Sequence, residues 1–205
     1  FKNSGSDAES SSWEVELDDI KYYDGVTSTS PTTLDDPTGY RIYEVSSATT
    51  LPYISSLEIH WDASDSDSIT MDSSNRVSQW DDQLSGNNDL TSSSSNMPLL
   101  KEDELNGLDV VSFGSDDRMS VSSTLGSSQP NTYYFVFKGM ANDGGTQRPL
   151  HIGGQQLYHS GSGQWGLYAT GSDEPKFQEQ ITDWGIWKIV YDGTNTGIYI
   201  DGVTK

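Results

Sequence analysis

Residues 57–62 read LEIHWD, in which Leu57, Ile59 and Trp61 alternate with Glu58, His60 and Asp62. Successive side chains of a strand point to opposite faces, so this order predicts a half-buried β-strand with three large apolar groups turned inward. The same period recurs along the chain. Tyr133, Phe135 and Phe137 alternate with Tyr134, Val136 and Lys138, and Ile198 and Ile200 with Tyr199 and Asp201. No twelve-residue segment keeps apolar groups at helical spacing without Gly, Pro or a Ser cluster interrupting it. Turn clusters such as ANDGG (141–145), SGSG (160–163) and YDGTNTG (191–197) separate the strands at the short intervals of antiparallel sheets. The expected class is all-β, an antiparallel two-sheet sandwich.

Composition narrows the function classes. The 205 residues carry 11 Lys+Arg against 31 Asp+Glu, a net charge of −20, with no basic cluster. A nucleic-acid backbone or an anionic bilayer surface is repelled by such a chain, so neither is an expected partner. A neutral or cationic ligand, a divalent cation, or solubility in salty water all suit it. Cysteine is absent, which removes disulfides and thiolate metal sites and leaves the redox compartment unread. No apolar run approaches the ~20 residues that span a bilayer, so membrane insertion is not expected. The chain starts at Phe1 with no basic and apolar leader, and is read as a processed product or a fragment.

Two Ser-rich stretches punctuate the first quarter, a leader at 3–12 and the linker TSTSPTTLDDPTG at 27–39. A boundary is expected near residue 50. Residues 1–50, too few for a core of their own, are read as the tail of a preceding module or as strands appended to the main one, and residues 51–205 as the main domain. Within that first part WEVELDD (13–19) sets Glu14, Glu16 and Asp18 on one face of a strand. Paired carboxylates ~5–5.5 Å apart are the machinery of a retaining glycosidase, and neighbouring same-face positions can reach that separation. A catalytic acid needs a pKa raised by burial, however, and this strand runs from a polar leader towards a Pro/Ser linker without apolar lining. The expectation is the wet face of an edge strand, and no enzyme. The longer stretch VELDDIKYYDG resembles the closing strand of a galactose-binding-like module.

From residue 57 an ordered series of segments carries a broader resemblance: a strand ending in WDASD (61–65), then VSQWDDQLSGNNDLT (77–91), NGLDVVSFGSDDRM (106–119), TYYFVFK (132–138) and IWKIVYDGTNTGIYIDG (186–202). This order resembles a laminin-G-like, concanavalin A-like jelly roll of the kind found in bacterial adhesins and phage tail or head appendages. The resemblance covers about three quarters of the chain. It implies a non-catalytic carbohydrate-binding or adhesion module of an extracellular, cell-surface or virion-surface protein, with a glycan or cell-surface polysaccharide as partner. A structural assembly domain of a tail fibre or capsid decoration is the alternative. Such jelly rolls run on past the turn that here is IDGVTK, so the last strand or strands are expected to be missing. That would leave an open sheet edge to which other protein chains can add.

Two sets of candidate residues follow. Asp62, Asp65, Asp67 and Asp89 are oxygen donors within reach of calcium at a sandwich rim, which needs six to eight hard oxygens. The spacing in DASDSDSIT departs from an EF-hand loop, so a solvated, turn-forming acidic loop stands beside the calcium reading. The segment RPLHIGGQQLYHSGSGQWGLYATGSDEPKF (148–177) gathers Arg148, His151, Tyr158, His159, Trp165 and Tyr168 between Gly-rich turns. Aromatic faces stack on sugar rings while polar groups bond the hydroxyls, which makes these six the candidate glycan contacts. The same GQWGLYA also reads as a core strand with Trp165 or Tyr168 inward. Trp187 is read as core. The three His residues lack zinc spacing, and nucleophile-elbow, phosphate-loop and dinucleotide motifs are absent.

Overall fold

The computed structural model describes residues 15–24, 57–84, 87–122, 128–138, 146–169 and 172–205, with residues 15–24 and 172–174 described through their backbone. The leader at 3–12, Glu14, the linker at 27–39 and the turn at 141–145 lie outside the described residues. Among the described residues there is no α-helix, and every strand pairing is antiparallel. The class expected from the period-two alternation is therefore the one observed.

The larger sheet is built around β1 (Val15–Asp24) and β8 (Asn131–Lys138). On the far side of β8 come β13 (Trp184–Tyr191), β14 (Gly197–Ile200) and the short edge strand β15 (Val203–Thr204). On the far side of β1, its length is shared: β7 (Leu108–Phe113) pairs with Val15–Leu17, and β2 (Leu57–Asp62) with Asp19–Tyr23. The edge strand β6 (Leu99–Leu105) closes that side. β1 thus has partners along both sides. The edge-strand reading of WEVELDD is corrected here: Glu16 is in register with Lys138 on one neighbour and Ser112 on the other.

A second sheet has four strands in the order β12, β11, β10, β9, formed by β9 (Gln147–Ile152), β10 (Gln155–His159), β11 (Gln164–Ala169) and β12 (Ser172–Gln178). A small third sheet holds β3 (Ile69–Met71), β4 (Val77–Trp80) and β5 (Leu90–Thr91). The inner faces of the two large sheets meet in a β-sandwich. Trp165 of β11 packs 4.7 Å from Trp187 of β13 and edge-on to Phe137 of β8 at 5.9 Å, while Tyr133 Oη donates to Gln155 Oε1 across the layers at 3.2 Å. Offset and edge-to-face rings fill such a gap better than stacked pairs, since the electron-poor edge of one ring meets the electron-rich face of another.

The alternations read in the sequence set this core. Leu57, Ile59, Trp61, Tyr133, Phe135, Phe137, Ile198 and Ile200 are all buried, while Tyr134, Val136, Lys138 and Tyr199 keep partial exposure. Trp187 is in the core as expected, and Trp80 is buried as well. One alternation fails: Val110 and Ser112 are buried along with Val111 and Phe113, so β7 is covered on both faces. The two ends of the larger sheet differ in protection. The β6 edge carries Lys101, Glu102, Asp103 and Glu104, with a break in register and a left-handed Asp103 (φ 56°), devices that hinder pairing with a second chain. The β15 edge is only two residues long and carries Val203 at 60% exposure.

Candidate functional site

The four-stranded sheet divides the six candidate glycan contacts between its faces. His159 and Trp165, opposite each other in register, both point into the sandwich and have no exposed surface. His159 Nδ1 lies 3.1 Å from Gln147 Oε1, and its ring is 4.7 Å from that of Trp165. Their position withdraws these two from the set of groups that can touch a ligand. The remaining four, Arg148, His151, Tyr158 and Tyr168, keep exposed surface.

On the outer face they form a connected group with a residue the sequence reading passed over, Gln156. Register pairs Gln156 with His151 on β9 and with Tyr168 on β11. Arg148 Nε donates to Gln156 Oε1 at 2.7 Å, and Gln156 Nε2 lies 3.4 Å from His151 Nε2. A polar row therefore runs Arg148, Gln156, His151 beside Tyr168. Gln156 stands two residues before Tyr158, so the period-two spacing was the signal that could have found it.

Tyr158 is placed by a glycine. Its register partner on β11 is Gly166, and a methyl group built on Gly166 would sit 2.6 Å from Tyr158 Cζ and Oη and 3.0 Å from Cε1. Only a residue without Cβ lets the tyrosine ring lie across the neighbouring strand at this distance. The outer face thus carries two tyrosines, with planar amide and guanidinium groups alongside. That is the composition of a surface that stacks on a ring and bonds its hydroxyls.

His151 also belongs to a cleft of about 550 Å³ at the end of β9. Two segments, 118–121 and 150–153, line it together with Trp61 and Leu90. Met119, Val121 and Ile152 give it apolar surface, and Arg118, Ser120 and His151 its polar groups. Arg118 is held in place from one residue: its backbone N–H donates to the Asn96 carbonyl at 2.9 Å, and Asn96, with its amide oriented to satisfy both neighbours, accepts from Arg118 Nη2 at 3.0 Å. Nothing in the sequence separates Arg118 from other charged loop residues, and it was not a candidate.

The acidic corner is arranged differently. Asp62 Oδ1 accepts from Ser64 N at 3.0 Å and Ser64 Oγ at 2.7 Å; Asp65 Oδ1 accepts from Asp67 N at 3.1 Å, and Oδ2 from Gln83 Nε2 at 2.7 Å. Asp89 Oδ1 accepts from Asp82 N at 2.9 Å. Asp67 is exposed. The buried Asp82 ties three chain segments together, accepting from His60 N, Leu84 N and Asn88 Nδ2 at 2.9–3.1 Å. Asn88 in turn accepts from Trp61 Nε1 through its carbonyl at 3.0 Å. Among the described residues no three His, Asp or Glu side chains gather as metal ligands. As placed, Asp62, Asp65 and Asp89 spend oxygens on loop closure.

Comparison with family models, with curated proteins and with solved structures finds no match. The fold and the chemistry of these two surfaces carry the functional reading by themselves.

Proposed function

We propose that this chain is a non-catalytic carbohydrate-binding module of laminin-G-like jelly-roll type, serving adhesion or recognition in a larger extracellular or virion-surface protein. The observation that carries the reading is the outer face of the four-stranded sheet. There Tyr158 and Tyr168 lie beside the linked row Arg148, Gln156, His151. Tyrosine supplies rigid, amphipathic contact area at low entropic cost, and the planar polar groups beside it suit vicinal hydroxyls. The partner is then a glycan or cell-surface polysaccharide.

The test is a glycan array probed with the chain, its folding confirmed by a melting transition, once with millimolar calcium and once with a chelator. Binding lost in Tyr168→Ala, whose melting is unchanged, supports the reading. Silence from a folded chain on the whole array overturns it. Loss of binding on chelation would add calcium to the site and require the acids at 62, 65, 67 and 89 to rearrange.

A second reading, an assembly domain of a tail fibre or capsid decoration, is favoured by one observation: the exposed Val203 on the lightly guarded β15 edge. Sheet edges recruit strands. A monomer that persists at every concentration in sedimentation would remove it. The hydrolase reading, with Glu14, Glu16 and Asp18, predicts that Glu16→Gln abolishes turnover of a β-glucan, and absence of turnover by the unaltered chain disposes of it for that class.

A further inference from the structure

Resting on the glycan-binding reading, we infer that the cleft between segments 118–121 and 150–153 receives an acidic sugar, its carboxylate held by Arg118 and its ring set against Met119, Val121 and Ile152. The first ground is local charge. The chain carries −20, yet the charged group lining this cleft is an arginine, and no Asp or Glu is among the described residues that line it. Asp116 and Asp117 adjoin Arg118 in the chain, so direct contact with the guanidinium that lines the cleft, rather than a net positive field, is what favours a carboxylate there.

The second ground is preorganisation. A guanidinium presents paired N–H donors matched to a carboxylate, and such charge-assisted pairs are about twice as strong as neutral hydrogen bonds. Asn96 grips Arg118 by main chain and side chain. A side chain already held loses less entropy when a ligand arrives. The third ground is size and composition. A volume of about 550 Å³ suits a small ligand, and its apolar part can cover a sugar ring's non-polar face. Continuity completes the case. His151 lines the cleft and also belongs to the polar row on the outer sheet face, so one oligosaccharide can lie along the tyrosines and end with its acid group at Arg118.

The test uses polygalacturonate, polyglucuronate, alginate and polysialate, each beside its carboxyl-reduced counterpart, with affinities for the full chain measured by calorimetry. At least one acid form should bind, its reduced counterpart about 10- to 100-fold more weakly. Arg118→Gln should lose the same factor towards the acid form and nothing towards the reduced one. A melting curve and retained binding of the reduced polymer show that the variant is folded. If neutral glycans bind and no acid form exceeds its reduced counterpart, the inference fails while the module reading stands. If Arg118→Gln leaves the preference for acid intact, the cleft is the wrong place. If the folded chain binds no glycan at all, both readings fall.

Discussion

The two faces of the four-stranded sheet are built from the same strands and nearly the same kinds of residue, yet they do opposite work. Inward point Gln147, Leu157, His159, Trp165 and Leu167, all buried and packed on the larger sheet. Outward point Arg148, Gln156, Tyr158 and Tyr168, with Arg148 bonded to Gln156 and part of each surface open. An aromatic ring and a polar ring occur on each side, so residue type does not separate structure from recognition; phase in the pleat does. The separation can be broken by substitution.

The largest effect is expected on the inner face. Trp165→Ala removes a ring that contacts His159, Phe137 and Trp187, and should cost about 3–5 kcal/mol in urea denaturation. A cost below ~1 kcal/mol would show that Trp165 is not in the core. The acidic corner supplies a polar counterpart. Asp82→Ala leaves Asn88 Nδ2 and two backbone N–H groups without their carboxylate, so about 2–4 kcal/mol should be lost, with no rescue by added calcium. Rescue by calcium would mean that this corner is a metal site.

The outer face should show the reverse pattern. Tyr168→Ala is expected to weaken glycan binding about 10-fold while changing stability by less than ~1 kcal/mol, read by calorimetry and melting of one preparation. Gly166→Ala, though on the neighbouring strand, should displace Tyr158 and weaken binding several-fold. In a Tyr158→Ala background the same change should cost nothing further, and additive losses would show that Gly166 acts by another route.

The smallest effect concerns the outer side of the other sheet. Burial lowers the Lys188 pKa below its usual 10.5, even with its ammonium 5.0 Å from the Tyr199 ring. The unfolded chain therefore binds more protons between the lowered value and 10.5, and Lys188 contributes a gain in stability as pH rises through that window. Lys188→Met should flatten that slope relative to the unaltered chain, and only slightly, because the part-exposed ammonium is screened by solvent. An unchanged slope would remove the desolvation argument.

Strands and core were legible because period two is imposed by backbone geometry and because large aromatics have few other places to go. Trp61 and Phe137 fell where their spacing put them, and Trp187 lies in the core as read. Which face of β10 and β11 turns inward was not legible. Alternation runs unbroken along β10, and the register shifts opposite Leu157–His159 and Gly166–Tyr168 add a residue to β9 and to β12, where they break a simple count along the strand. Inward Gln147, Gln155 and His159 also disguise the core side as polar. The place of β1 was hidden for a different reason: 32 residues separate Asp24 from Leu57, and no local pattern reaches across that gap to say which strands it joins. Arg118 became a candidate only when the fold brought its segment beside the turn after β9.

The central position of β1 has a consequence in time. It is the first of the described strands to leave the ribosome, and its partner along nearly all of one side, β8, begins only at Asn131. At ~5–20 residues per second, synthesis of the intervening chain takes on the order of 5–20 s. During that interval β1 can at most hold β2 and β7 on one side, with its other row of N–H and C=O groups bonded only to water and open to another strand. Pairing across so long a separation also makes for slow folding. The nascent chain, rather than the finished sandwich, is where this fold is most exposed to joining a neighbour of its own kind.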